Sequence, residues 1–278
     1  MDAATSLCDW LATLARPSTP SIYENITIQS IVATQREHLH STRAHYPTRH
    51  EALLMLHSGR DPFARRAVKP SDVSWITYTS SASAIEAQLT AVHPLRFAIE
   101  VGSFVGSSAV ATWGPLMRRR GGLLLAIDTW QGSASMRLGR KQRKYMPLDD
   151  EGSPKTYRLF LDRILAHGLN ETIVPLPMAS LTAARAVELL SWRVDLIYVD
   201  SAHEAGETLL ELVKYWRLLR PGGVMLGDDL SWPAVRTDVL TFATCLGMTP
   251  DLLGANKNMW MLRKPTHRSS RMSPEEIE

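Results

Sequence analysis

From Arg96 onward the chain alternates short apolar runs with stretches whose apolar residues recur at helical spacing. This is the rhythm of a parallel sheet covered by helices on both faces. Arg96–Val101 reads as a first strand, followed by a helix from Ser107 to Arg118. Gly122–Asp128 reads as a second strand, and a long polar segment separates it from a helix over Tyr157–Gly168. Thr172–Leu176 and Val194–Asp200 read as strands three and four. The next helix, Glu204–Leu219, meets Arg220-Pro221-Gly222-Gly223, where proline and glycine past the last turn act as a stop. A fifth strand over Gly223–Gly227, a helix over Pro233–Leu246 and a final strand over Asn258–Arg263 complete the series. Ahead of it, Pro17, Pro20, Pro47, Pro62 and Pro70 cut residues 1–75 into short pieces, of which Ala52–Leu56 suggests a helix. The expected division is a helical N-terminal extension over 1–75, a doubly wound, mostly parallel α/β domain over 76–264 and a disordered tail over 265–278. That tail is rich in Ser, Arg and Glu and poor in groups to bury.

The chain has 278 residues, 45% of them hydrophobic and 21% charged, which is ordinary for a globular protein able to bury a sizeable core. A net charge of +3 permits an anionic partner without calling for nucleic acid. No apolar run reaches the roughly 20 residues of a membrane span. The first residues, with Asp2, Asp9 and Trp10, lack the basic-then-apolar order of a secretory signal. Two distant cysteines, Cys8 and Cys245, argue against a disulfide framework. The expected location is therefore the cytoplasm. Oligomeric state is left open, a homo-oligomer included.

Candidate chemistry begins where strand one ends, in Glu100-Val-Gly102-Ser103-Phe104-Val-Gly106-Ser107. Glycines there let the chain turn sharply into a helix whose first N–H groups are free. The dinucleotide fingerprint would need glycine at 104 and 107, which are Phe and Ser, so a pyrophosphate is poorly served. Glu100 would repel phosphate and suit a cationic ligand such as S-adenosylmethionine, with its ammonium and sulfonium. Asp128 closes strand two at the same edge, where a carboxylate can accept both hydroxyls of a ribose. Taken singly, these residues also suit a plain tight turn and a helix cap.

The ordered set E-x-G-x-x-x-G, the Ile127-Asp128 strand end, Val194-Asp-Leu-Ile-Tyr-Val-Asp200 and Leu219-Arg-Pro-Gly-Gly-Val224 resembles the class I S-adenosylmethionine-dependent methyltransferases over about Arg96–Arg263. The resemblance implies a seven-stranded Rossmann-like sheet whose antiparallel edge strand is the one around Trp260. It implies that Glu100, Gly102, Ser103 and Gly106 hold the methionyl part of the cofactor and Asp128 the ribose. Ser180, after strand three, falls where the family contacts adenine.

Asp200 ends strand four and Asp228-Asp229 ends strand five, so three carboxylates converge on one edge of a parallel sheet. Unpaired, they would raise one another's pKa. A hard divalent cation, Mg²⁺ first, removes that cost and can activate a substrate hydroxyl. The arrangement resembles the cation-dependent O-methyltransferases, with Asp-Asp closer to the macrolide sugar enzymes than to the catechol type. The resemblance implies a small hydroxylated acceptor such as a sugar, and places His203, three residues past Asp200, where the catechol enzymes carry their base. The plainer alternative makes Asp200 a loop anchor, Asp228 or Asp229 a helix cap and His203 a helix-start residue.

Other features carry less. His38, His40, His45 and His50 match no zinc spacing. The segment after Asp128 holds Arg137, Arg140, Lys141, Arg143 and Lys144, which suit either a lid over an anionic acceptor or a solvated loop. Trp130 suits either an adenine contact or packing. Rival readings are a metal-independent N-, C- or O-methyltransferase, a dinucleotide-dependent oxidoreductase, and a cofactor-binding subunit without catalysis.

Overall fold

In the computed structural model, the structure describes residues 44–64, 66–67, 89, 94–139, 143–201, 203–254 and 256–266. Most of the expected extension and of the tail therefore lies outside the described residues. Within the extension, Arg49–His57 forms helix α1, opened by Thr48, whose side chain accepts from the Glu51 N–H.

Seven strands follow in the order β3-β2-β1-β4-β5-β7-β6. They are β1 (Phe97–Val101), β2 (Leu123–Asp128), β3 (Ile173–Pro177), β4 (Val194–Val199), β5 (Leu219–Gly227), β6 (Asp251–Leu253) and β7 (Met259–Arg263). The first five pair in parallel, and β7 runs antiparallel to both β5 and β6. The strand around Trp260 is thus antiparallel as expected, but it lies inside the sheet. The edge belongs to β6, whose three residues are too few to show a period.

The central strands are apolar throughout because both faces are covered. Phe97, Ile99 and Val101 face a core shared with α1, α5 (Ser180–Leu189), α6 (Glu207–Leu218) and α7 (Pro233–Cys245). Ala98, Leu124 and Leu196 face the other layer, made by a π-helical turn over Ala109–Trp113, α2 (Gly114–Arg119) and α4 (Thr156–Ala166). Between β2 and α4 the polar segment contains a short helix, α3 (Ala134–Leu138), and a 3₁₀ turn over Arg143–Tyr145. The pattern had offered no helix between β3 and β4, yet α5 fills that crossover.

At the amino ends of the strands the buried Asp195 gathers four donors. These are Arg220 Nε, Tyr46 Oη at 2.8 Å, and the backbone N–H groups of Arg96 at 2.7 Å and Phe97 at 3.2 Å. One carboxylate thereby ties the entry of β1 to β4, β5 and the segment before α1. Cys245, at the end of α7, is disulfide-bonded, which corrects the expectation of no disulfide. Separation along a chain says nothing about separation in the fold. No helix among the described residues is long and apolar enough to cross a membrane.

Candidate active site

The loop after β1 is shaped by two glycines with left-handed backbone, Gly102 (φ 91°) and Gly106 (φ 82°). A Cβ on Gly102 would sit 2.0 Å from the Asp200 carbonyl oxygen, so the β1 loop passes flush against the end of β4. A Cβ on Gly106 would meet the Phe160 ring at 3.0 Å and Ile164 at 3.6 Å. Gly106 is therefore required by packing against α4, and a bulky residue there strains the fold itself rather than only blocking a ligand.

Glu100 lies fully buried beneath this loop. Its Oε1 accepts from Ser108 Oγ at 2.6 Å, and the buried Ser103 hydroxyl lies beside the same carboxyl. Burial pushes the Glu100 carboxyl up to about 7, against the lowering pull of the Ser108 and Ser103 hydroxyls.

Asp128 is engaged on both oxygens. Phe104 N–H donates to Oδ2 at 2.7 Å and Trp130 N–H to Oδ1 at 2.6 Å. Burial raises its pKa and these N–H groups lower it, burial being the larger effect. Asp128 thus pins the glycine loop to the exit of β2. Phe104 (φ 44°) and Trp130 (φ 55°) take left-handed backbone to reach it, a conformation costly for non-glycine residues. Trp130 is buried against Tyr157 and Phe160, with ring centroids 4.6 and 5.0 Å away, so its role is packing. Ser180 opens α5 with its hydroxyl toward the buried Glu211 of α6.

At the ends of β4 and β5, one ligand atom each from Asp200, His203 and Asp229 lies within 4.8 Å of the others. Asp229 has left-handed backbone (φ 61°), which turns its carboxylate toward His203, and Oδ2 lies 2.6 Å from His203 Nε2. Burial, then Asp229 and Asp228, push Asp200 up to about 7. The Asp229 hydrogen bond raises the His203 pKa, more than burial lowers it. Asp228 stands beside this trio. Its Oδ1 accepts from the Asp229 N–H at 2.8 Å and from Asn258 Nδ2 at 2.7 Å. The structure thus brings Asp200 and Asp229 together with His203, and Asp228 stands beside them.

Sequence reasoning missed several participants. Asn258 reaches Asp228 because β7 inserts beside β5, a long-range pairing that no local pattern encodes. Glu211 accepts from Ser201 Oγ at 2.5 Å and steadies the segment that carries His203. Its signal was present, a carboxylate inside Leu209-Leu-Glu-Leu-Val213. Asp238 of α7 accepts the N–H groups of Gly206 and Leu209, capping α6 from outside because Gly206 has no side chain to do so. Trp232, 48% exposed, stands with its ring 4.9 Å from that of His203.

Residues 99–230 match the family described as a methyltransferase domain. The sheet order and the glycine loop agree with that match and with the Rossmann-like methyltransferase fold. Among solved structures, the calicheamicin methyltransferase CalS11 is 17% identical, covering 93% of this chain and 91% of that one, with a TM-score of 0.49. The O-methyltransferase NovP is 14% identical over 66% of this chain and 77% of that one, with a TM-score of 0.47. An O-methyltransferase from Bacillus cereus, solved in complex with SAH, is 13% identical over 93% and 97%, with a TM-score of 0.45. A sequence search of curated proteins returned no match.

Proposed function

We propose that this enzyme is an O-methyltransferase that uses a divalent cation, magnesium first, to methylate a small hydroxylated molecule such as a sugar. The observation that carries the reading is the convergence of Asp200, His203 and Asp229 beside the glycine loop. The residues present suit both absent groups. The buried Glu100 carboxyl and Ser103 hydroxyl suit the charged methionyl end of the cofactor, with Gly102 and Gly106 shaping the loop around it. Asp128 holds that loop and keeps lone pairs for ribose hydroxyls, and Ser180 marks the adenine side. Asp200 and Asp229 supply oxygen donors, with Asp228 behind them.

When bound, S-adenosylmethionine supplies the electrophilic methyl group and the cation lowers the pKa of the acceptor hydroxyl. His203, held through Nε2 by Asp229, is the group positioned to take the acceptor's proton. Trp232 offers an exposed apolar face at the rim. Displacement at carbon then needs mainly orientation, which these rigid strand ends provide.

A second reading is favoured by the close spacing of the three ligand atoms and makes His203 a ligand. A nitrogen donor would shift preference from magnesium toward manganese or zinc. Calorimetric titration with S-adenosylmethionine, S-adenosylhomocysteine and NADH, with and without Mg²⁺, Mn²⁺ and Zn²⁺, tests both. The first reading expects the two adenosyl compounds to bind, NADH to fail, and His203→Ala to keep its cation affinity. Loss of cation binding in His203→Ala supports the second. Full turnover in excess EDTA sinks the cation in either form.

A further inference from the structure

Beneath the ends of β4 and β5 the core holds a donor that the proposed reaction does not use. Trp260 of β7 is completely buried, yet among the described residues its Nε1–H has no hydrogen-bond partner. A buried N–H without an acceptor costs free energy, and a fold keeps it where something supplies that acceptor. The backbone makes room for this ring. Trp260 pairs with Gly227, and a Cβ on Gly227 would lie 2.5 Å from Cζ2 and 2.7 Å from Cε2 of the indole. Cε2 is the carbon that carries Nε1, so the N–H edge of the ring lies over Gly227, the residue before Asp228.

Trp260 lines a small cavity at this point. Val199 and Val235 complete its apolar walls, and Asp200, Asp228 and Asp229 bound it on the side of the candidate active site. Its volume of about 10 Å³ is room for a single water. Chemistry narrows the occupant further. A cation is disfavoured where the positive end of an N–H dipole points at it, and an anion where carboxylates do. An indole N–H only donates and an ionised carboxylate only accepts, so a group between them must do both. Water does both. We propose that one buried water sits in this cavity, accepts from Trp260 Nε1–H and donates to the carboxylates around it. Trp260 is then a positioning residue, which fixes the acids through that water. Its effect on the cation rests on the proposed magnesium reading, whereas the water itself does not.

Nuclear magnetic resonance of the full chain, carrying isotope-labelled tryptophan, tests the water. The Trp260 indole signal is the one lost in Trp260→Phe or, where that variant fails to fold, the one with Overhauser contacts to the Gly227 α-protons. It should show an Overhauser effect to water with the sign of a long-lived bound molecule. The effect should persist in Thr208→Val, which removes a lining hydroxyl able to relay it. Calorimetry with Mg²⁺ alone tests the positioning. Trp260→Phe keeps an aromatic ring and loses the donor, so Mg²⁺ affinity should fall by about 10- to 100-fold, the scale seen when a hydrogen bond behind a metal ligand is removed. S-adenosylmethionine affinity should stay near that of the parent. Absence of the water signal in the parent, or its loss in Thr208→Val, overturns the proposal. Unchanged Mg²⁺ affinity in Trp260→Phe, or equal losses for Mg²⁺ and S-adenosylmethionine, overturns the positioning role, the second outcome leaving only packing. A parent that binds no Mg²⁺ sinks the magnesium reading instead, and the water signal then decides the cavity by itself.

Discussion

The two ends of the sheet treat buried acids in opposite ways. At the amino end, Asp195 is completely buried and surrounded by donors, Arg220, Tyr46 and two backbone N–H groups. At the carboxyl end, Glu100, Asp128, Asp200, Asp228 and Asp229 crowd together, and among the described residues none of them is bonded to a lysine or arginine. The same residue type is thus a clamp where a guanidinium matches its charge, and at the other end it relies on backbone N–H groups, Asn258 and His203. Like charges in low dielectric raise one another's pKa, and a fold keeps that cost only where something else removes it.

The largest effect expected from breaking this contrast is on turnover. Asp229→Ala should reduce it by roughly 10³-fold, the scale of lost charge stabilisation in the reaction, while S-adenosylmethionine affinity measured by calorimetry stays near that of the parent. Asp228→Ala should cost less, since that carboxylate is already turned to Asn258 and the Asp229 N–H. Equal losses would place Asp228 in the cation site itself. Asp200→Asn should also abolish most activity yet raise Tm in EDTA at pH 8. The sign follows from linkage. Its folded pKa of about 7 lies above the unfolded value, so the unfolded chain loses the proton first and stability falls as pH rises through that window. Removing the charge removes the loss. A lower Tm in Asp200→Asn would mean the carboxylate is matched after all.

At the other end the sign reverses. Asp195→Ala should destabilise the protein by about 3–5 kcal/mol, because it strands Arg220 and two buried N–H groups, with turnover per folded molecule preserved. Denaturant unfolding measures this directly, and a change below about 1 kcal/mol would show that Asp195 is no clamp.

How much of this was legible beforehand differs between the two ends. The carboxyl end could be read because Asp128, Asp200 and Asp228 each close an apolar run, and in a parallel sheet run-ends share an edge by necessity. The clamp was invisible, since Asp195 sits second in its strand and its partners are 149 and 25 residues away. β6 escaped for want of length, and α5 because Ala183, Ala184 and Ala186 weaken its apolar stripe. The packing at Gly106 was hidden for a related reason. The sequence requires a glycine for the turn but cannot say that Phe160 occupies the space a Cβ would take.

A smaller effect should follow from Asp128→Ala. Cofactor affinity should fall by about 1.5–3 kcal/mol, the scale of a lost charge-assisted hydrogen bond, partly because Phe104 and Trp130 lose the acceptor that holds the loop. If Asp128→Asn restores the loop without restoring affinity, ribose recognition rather than loop anchoring dominates. Hydrogen exchange at Phe104 and Trp130 separates the two contributions.

The smallest predicted effect concerns Glu100 and the form in which it meets the cofactor. Its carboxyl, raised by burial to about 7, is mostly protonated in the free protein at pH 6 and mostly ionised at pH 8. A cationic ligand favours the ionised form, so binding should draw the pKa down and take up the deprotonated species. S-adenosylmethionine affinity should therefore rise with pH and level off once pH passes about 7, with a difference of roughly tenfold between pH 6 and the plateau. S-adenosylhomocysteine keeps the ammonium and lacks the sulfonium, so the same slope for both compounds assigns the ammonium as the partner of Glu100. A slope for S-adenosylmethionine alone assigns the sulfonium. Glu100→Gln should flatten the profile at the low-affinity level for either ligand. An affinity independent of pH in the parent protein would mean that the buried carboxyl stays neutral when the cofactor binds, and that Oε2 meets it as one end of an ordinary hydrogen bond.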